Sequence, residues 1–391
     1  MTSGAPSAGV SPRIHYLSDH SYTGCAVAGR RLMLGLDSIG CPLRWTPLRW
    51  VPEDPLLPPG QSPCLRLPRL AETEITPDVV IVHATPEFLP AVEHLVPAGI
   101  PLVIHTVWEL DRLQTHWPEL LNRCDAVVVP SHWNAATFRA GGVTAPILVV
   151  PHAHSGGLDP PDPAWLEPVS PPDELMLHTI ADWIPRKAPW RTLEAYARAF
   201  GPEQGTRLVM RTCAAVASWA PLPEDGRPAH LRGLTSWNIA TLMHRHAPAP
   251  PLHIITKALS FEQIAGMHAR SGCWISLPHA EGWDLGCFDA AVAGCPVITT
   301  AHGGPLEYLD PGCSFLVPAR LRDCAELYGA TWAVPDVDIA IDMLHEIHAD
   351  PAAAATRAAA MATRLRVTHA PATIASSLVS QLYELGLVSA T

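Results

Sequence analysis

The stretch CWISLPHAEGWDLGCFDAAVAGCPVITTA, residues 273–301, contains a complete passage from strand to loop to helix to strand. An apolar run, CWISLP, is closed by Pro278; the loop HAEGWDLG follows, and from about residue 286 small and apolar residues run on until Gly294 and Pro296 lead into VITTA. Two strands joined through a helix predict neighbours in a parallel sheet. A glycine-containing loop that opens a helix at the carboxyl edge of such a sheet offers free N–H groups and the positive end of the helix, which suits phosphate. Gly282 and Gly286 let a ligand approach the main chain, Glu281 can accept hydrogen bonds from sugar hydroxyls, and Asp289, near the helix start, can accept from ribose hydroxyls.

Outward from this stretch the same alternation repeats. Before it come strands at LMLHTIA, RLVMRT and LHIIT, with helices at 190–200, around 236–246 and at 260–270; helices at 336–349 and 351–389 finish the chain. A first α/β unit has strands at 13–18, 78–84, 101–106, 126–131 and 146–151, with helices at 26–39 and 133–141. Between the units lies PHAHSGGLDPPDPAWLEPVSPPDE (151–174), whose Pro, Asp and Gly content predicts an irregular connection. The expected organisation is a loose tail at 1–12, a Rossmann-like domain at 13–160, a second at 161–368, and a C-terminal helix at 369–391 that crosses back to the first. Ligands of open α/β sheets bind outside the carboxyl ends of the strands, so two such domains predict a cleft between them.

Composition sets bounds. The chain has 391 residues, 48% hydrophobic and 16% charged, with 26 basic against 37 acidic residues and a net charge of −11. That balance gives no general attraction to nucleic acid or anionic lipid. None of the 10 cysteines falls in a C-x-x-C pair, so they are read as reduced, and no stretch has the length of a membrane span. The opening MTSGAPSAGVSP lacks the features of a signal peptide, and a cytoplasmic protein is expected.

EGWDLGCFDAAVAGCPVI (281–298) resembles the signature of retaining nucleotide-sugar glycosyltransferases of family 4, usually E-G-F-G-L-P-x-x-E-A-M-A-x-G-x-P-V-I. ADWIPRKAPWRTLEAYARAF (181–200) is similar to that family's second-domain opening, residues 101–143 to its N-domain core, and YTGCAVAGRR (22–31) to its first glycine loop. The resemblance implies the GT-B fold, two Rossmann-like domains facing across a cleft, with a nucleotide diphosphate-sugar as donor substrate and no metal or other cofactor. It implies that Glu281 touches the donor sugar, that Asp289 holds the ribose, that Arg186 and Lys187 hold the diphosphate, and that His105 stands beside the sugar. It further assigns Gly24, Gly282, Trp283, Asp284, Leu285 and Gly286 to the donor; Gly303 and Gly304, which open a helix at a strand's carboxyl end, are also read as donor-facing, and Glu109 as facing the acceptor. Three departures stand out. The second glutamate is Asp289, the family's Gly-Leu-Pro is Asp284-Leu285-Gly286, and an arginine common five residues before the lysine is Asp182.

Other motifs divide between plain and functional readings. The doubled PLRW in 41–70 is either a Pro-rich surface loop or an acceptor-recognition loop using Trp45 and Trp50. PDVD (335–338) reads as a helix cap rather than a metal-binding D-x-D, and neither HAH (152–154) nor MHRH (243–246) brings a third metal ligand. GGPLE (303–307) starts a helix or faces the donor. The expected activity is hexosyl transfer to a hydroxyl of a soluble small molecule or glycan; oligomeric state stays open. The rival readings are a GT-B phosphorylase or epimerase, and a non-catalytic nucleotide-sugar-binding protein.

Overall fold

The computed structural model describes residues 11–19, 21, 23–48, 66–215, 233–324 and 329–389. They divide into two compact units. The first takes residues up to Val107, Leu113–Leu158 and those from Val367 on; the second takes Trp108–Arg112 and Asp159–Arg366. The divisions at Leu158 and Val367 fall within two residues of those read from the sequence, but the short segment Trp108–Arg112 clusters with the second unit.

The first unit holds a six-stranded parallel sheet: β1 (Ile14–Asp19), β2 (Leu43–Leu48), β3 (Val79–His83), β4 (Leu102–His105), β5 (Ala126–Val129) and β6 (Ile147–Val149), in the order β2-β1-β3-β4-β5-β6. Its inner strands, such as VVIVH and AVVV, are buried along their whole length, as strands covered on both faces require. Strand β2 was not foreseen, because its sequence LRWTPL sits in the proline-rich segment. It lies at the sheet edge, where Pro47 removes no hydrogen bond that an inner strand would need.

This placement corrects the reading of Trp45. Its ring is 2% exposed and its Nε1–H donates to Ser18 Oγ at 3.0 Å, so it fills the core of the first unit and presents nothing to an acceptor. Trp50 and residues 49–65 lie outside the described residues.

Helix α1 (Gly24–Ser38) follows β1, capped by the Thr23 hydroxyl, which accepts from Ala26 N at 3.2 Å. Along the same stretch of chain this unit also has α2 (Arg66–Ala71), α3 (Leu89–Val92), α4 (Trp117–Leu121) and α5 (His132–Ala140).

The second unit repeats the plan: β7 (Leu175–Ile180), α6 (Pro189–Ala199), β8 (Thr206–Arg211), α7 (Thr235–Arg245), β9 (Leu252–Ile255), α8 (Phe261–Arg270), β10 (Cys273–Ser276), α9 (Leu285–Ala293), β11 (Val297–Thr300) and β12 (Phe315–Val317). Its sheet order is β12-β11-β10-β7-β8-β9, all parallel. A two-stranded antiparallel ribbon, β13 (Ala319–Cys324) with β14 (Ala330–Pro335), and helix α10 (Val337–Ala349) complete it.

The single helix expected over 351–389 is two helices, α11 (Pro351–Thr368) and α12 (Pro371–Glu384). Pro371 cannot continue a helix from α11 but suits the first turn of a new one. Helix α12 belongs to the first unit, where Ile374, Ala375, Leu378 and Leu382 are buried in the core. A Cβ on Gly35 of α1 would lie 2.4 Å from Pro371 O, so the glycine permits close approach of the two helices. None of the nine described cysteines forms a disulfide, and no described helix is long and apolar enough to cross a membrane.

Candidate functional site

In the sheet of the second unit the strand order reverses between β7 and β10. Connections leave these neighbours toward opposite sides, which opens a crevice at their carboxyl ends. The segments that follow these two strands carry Arg186 and Lys187 after β7, and Glu281 after β10.

The two segments are tied together by backbone. His279 N donates to Arg186 O at 2.7 Å and Ala280 N at 3.3 Å to the same oxygen. Leu277 N donates to Thr192 Oγ1 at 3.1 Å, Thr300 Oγ1 to Pro278 O at 2.7 Å, and Tyr308 OH to the carbonyls of Trp283 and Asp284 at 3.0 and 3.1 Å. From the far side Gly304 N donates to Glu281 O at 2.9 Å. A Cβ on Gly304 would lie 1.9 Å from Gly282 O, and Gly303 holds φ 74° with Glu281 O 2.5 Å from its would-be Cβ. Both glycines are therefore needed to let the 3-10 turn Gly304–Glu307 clamp the acidic loop, and GGPLE starts that turn rather than an α-helix.

Within this frame Glu281, 5% exposed, accepts from Lys187 Nζ at 2.7 Å and from Arg186 Nη1 at 2.8 Å. Arg186 Nη2 also pairs with Glu109 at 2.9 Å. Burial pushes the Glu281 carboxyl up, but the two cations outweigh it and hold it below the usual carboxylate range. Burial likewise opposes the charges on Arg186 and Lys187, yet Glu109 and Glu281 raise the first and Glu281 the second. All three side chains thus stay ionised near neutral pH.

Asp284 caps α9. It has φ 63°, is 8% exposed, and its Oδ1 accepts from Cys287 N at 3.3 Å. Burial first, and Glu281 second, push its carboxyl up to about 6. Asp289 lies half-buried one turn into α9, beyond Leu285 and Gly286, which are also half-buried. A Cβ on Gly286 would lie 2.5 Å from Trp274 Cη2, so this glycine serves the packing of α9 on β10.

The indole of Trp283 is 2% exposed and packs with Phe288 and Tyr308 in a core cluster. This corrects its assignment to the donor, since only its backbone can meet a ligand. Glu109, assigned to an acceptor, instead pairs with Arg186, on a segment whose Asp111 accepts from Thr331 N at 2.8 Å. Two partners were missed. Arg211 at the end of β8 donates to Asp182 at 3.4 Å, bringing a guanidinium beside the position where the family has arginine. Tyr308 is the anchor of the acidic loop.

His105 ends β4 of the first unit. It is 1% exposed, stacks on His83 with centroids 3.9 Å apart, and lies 5.8 Å from His152. Burial pushes it down to about 3, which keeps the imidazole neutral, and neither of its ring nitrogens has a hydrogen-bond partner among the described residues. His152 of the HAH motif belongs to this buried row, and His154 Nδ1 accepts from Gly156 N at 2.9 Å. Gly24 is the exposed first residue of α1, next to the cap Thr23, whose hydroxyl donates to Asp19 at 2.8 Å. MHRH closes α7, and Asp336 of PDVD caps α10 by accepting from Asp338 N and Ile339 N. Among the described residues no group of three His, Cys, Asp or Glu side chains is placed to hold a metal.

Residues 30–154 match the family model of Glycosyltransferase Family 4, a stretch that lies in the first unit apart from Trp108–Arg112 and does not include the acidic loop. Solved structures share the fold over nearly the whole chain. HepE of Anabaena, in complex with UDP and glucose, is similar at TM-score 0.63 and 14% identity, over 95% of this chain and 100% of that one. Sucrose-phosphate synthase from Thermosynechococcus elongatus gives 0.67 and 16%, over 95% and 98%. The fold is GT-B. AviGT4, a glycosyltransferase involved in avilamycin A biosynthesis, shares this GT-B fold at TM-score 0.56 and 18% identity, over 96% and 98%. The resemblance of the sequence to GT-B glycosyltransferases is therefore borne out at the level of fold, with the match to family 4 carried by residues 30–154. No curated protein matches the chain.

Proposed function

We propose that the protein is a retaining glycosyltransferase, independent of metal, that moves a hexosyl group from a nucleotide diphosphate-sugar to a hydroxyl of a small molecule or glycan. The observation that carries this is the Arg186–Lys187–Glu281 cluster at the strand-order reversal of the second sheet. Two cations held by one buried carboxylate, next to the N-terminus of α9, suit a group whose negative charge grows as the reaction proceeds.

Departure of the diphosphate leaves positive charge at the anomeric carbon. Arg186 and Lys187 stabilise the leaving oxygens, and this electrostatic contribution is the main one the residues offer. Glu281 orients the sugar hydroxyls. No second carboxylate is assigned as a nucleophile across the sugar, so retention is ascribed to attack on the face from which the phosphate departs. HepE, which shares the fold, is in complex with UDP and glucose, which supports a uridine nucleotide as the first donor to try.

The test is a melting-point panel of UDP-, GDP-, ADP- and TDP-sugars on the wild type and on Lys187→Ala, followed by acceptor screening with NMR of the product anomer. Ligand that binds only the folded protein raises the melting point. A shift with one donor class, lost in the variant, followed by transfer with retention in the presence of EDTA, is expected. Inversion, dependence on metal, or binding without transfer or hydrolysis would each remove the corresponding part of the proposal.

A further inference from the structure

The acidic loop carries one carboxylate more than its cations answer. Glu281 takes both Lys187 and Arg186, and Glu109 takes the second amino group of Arg186. The Asp284 carboxylate forms no ion pair among the described residues; the one hydrogen bond it accepts there is the cap from Cys287 N. It sits at φ 63°, where side chains other than glycine are uncommon, and Tyr308 pins its carbonyl, so its backbone has little freedom to turn the carboxylate away. The groups that face it are Glu281 and Cys287 from its own loop and helix, Lys187 and Arg186 from the segment after β7, and Tyr308 from the turn after β11. Glu109 acts on it only through Arg186.

A diphosphate arriving here adds negative charge to a cluster that already has Glu109, Glu281 and Asp284 against Arg186 and Lys187. Like charges in a partly dry site repel, and the acid that yields is the one with no counter-ion of its own. Resting on the donor-site reading above, we infer that Asp284 is a positioning residue that admits a nucleotide diphosphate only as the neutral acid, so that each donor enters together with one proton. The proton comes from solvent and returns to it when the nucleotide leaves. As an acid, Asp284 keeps one oxygen on Cys287 N and gains an O–H that can donate to a phosphate oxygen. Burial and Glu281 already lift this carboxyl to about 6, so the proton is available near neutrality.

The test is titration calorimetry with UDP-glucose, GDP-mannose, ADP-glucose and TDP-glucose between about pH 6 and pH 8.5, each in two buffers of different ionisation enthalpy. The diphosphate of such donors does not itself titrate in this range. Wild-type affinity for the donor that binds should fall about tenfold per pH unit above about pH 7, with close to one proton taken up per donor. In Asp284→Asn, which keeps the cap oxygen, binding should be independent of pH, without proton uptake, and tighter than wild type by at least about tenfold at pH 8. Binding by wild type that is independent of pH, or proton uptake that persists in the variant, overturns the role of Asp284 and leaves the donor site standing. Absence of binding by both proteins at every pH overturns the donor reading itself. Should Asp284→Asn fail to fold, proton uptake by the wild type alone still decides.

Discussion

Replacing Glu281 by glutamine removes one charge from a buried network while keeping shape and hydrogen-bonding capacity. At an effective dielectric of about 20, each of the contacts to Lys187 and Arg186, at 2.7 and 2.8 Å, is worth about 6 kcal/mol before desolvation is subtracted. Arg186 keeps Glu109, so the loss falls mainly on Lys187. Breaking a buried pair costs about 3–5 kcal/mol, and the Lys187 side chain, 21% exposed, recovers some hydration, which puts the expected loss at about 3 kcal/mol. For a unit of roughly 200 residues that is a fall of about 6–12 °C in melting point. The double variant Glu281→Gln/Lys187→Met, which removes the stranded cation, should recover at least half of the loss. Calorimetric or circular-dichroism melting at pH 7.5 measures both. The sign with pH also follows. The folded carboxyl lies below its ordinary value of 4.5, so its contribution is complete above that value and is lost as pH falls through the folded one. The gap between variant and wild type should therefore shrink in acid. A single variant melting within about 2 °C of wild type, or a double variant no better than the single, would refute this account of the cluster.

Asp284 has the opposite sign. Its folded carboxyl near 6 against an ordinary 3.8 makes the folded state bind more protons between those values, so stability falls as pH rises through that window. Asp284→Asn should therefore be more stable than wild type by up to roughly 3 kcal/mol at pH 8 and little different at pH 4, by melting without ligand. Trp45→Phe should cost about 1 kcal/mol or more through the bond to Ser18 and lost packing, with acceptor KM unchanged; a specific rise in KM would restore an acceptor role. Gly304→Ala should lower both stability and turnover, because the Gly282 carbonyl stands 1.9 Å from the added carbon; a variant with wild-type melting would show that the turn yields. Removing the residues after Thr368 exposes the core side chains that Ile374, Leu378 and Leu382 cover, at about 1.5–3 kcal/mol each, so the first unit should unfold, which limited proteolysis would detect.

The inner strands were legible because a sheet covered on both faces writes itself as unbroken runs such as VVIVH and AVVV. Strand β2 was not, since an edge tolerates the proline that argues against a strand, and the β13–β14 ribbon was missed because ARLRDC is exposed along most of its length. Glu281, Arg186 and Lys187 could be read because their motifs place them after parallel strands. Their partners could not. Arg186 with Glu109, Arg211 with Asp182, and Tyr308 with the carbonyl of Trp283 join residues far apart in the chain and are set only by packing. Trp283 misled for a related reason: a tryptophan between glycines in a loop looks ligand-facing until Phe288 and Tyr308 are seen around it.

The packing of α12 on α1 makes the first unit discontinuous along the chain. During synthesis, the residues that close its core are made after the whole second unit, so the earlier segment must wait with α1 uncovered while the later one folds. An isolated fragment of residues 11–158 should therefore bind chaperones and aggregate. A circular permutant that places 367–389 before residue 11 should fold that unit by itself, and would let its ligands be studied apart from the donor site.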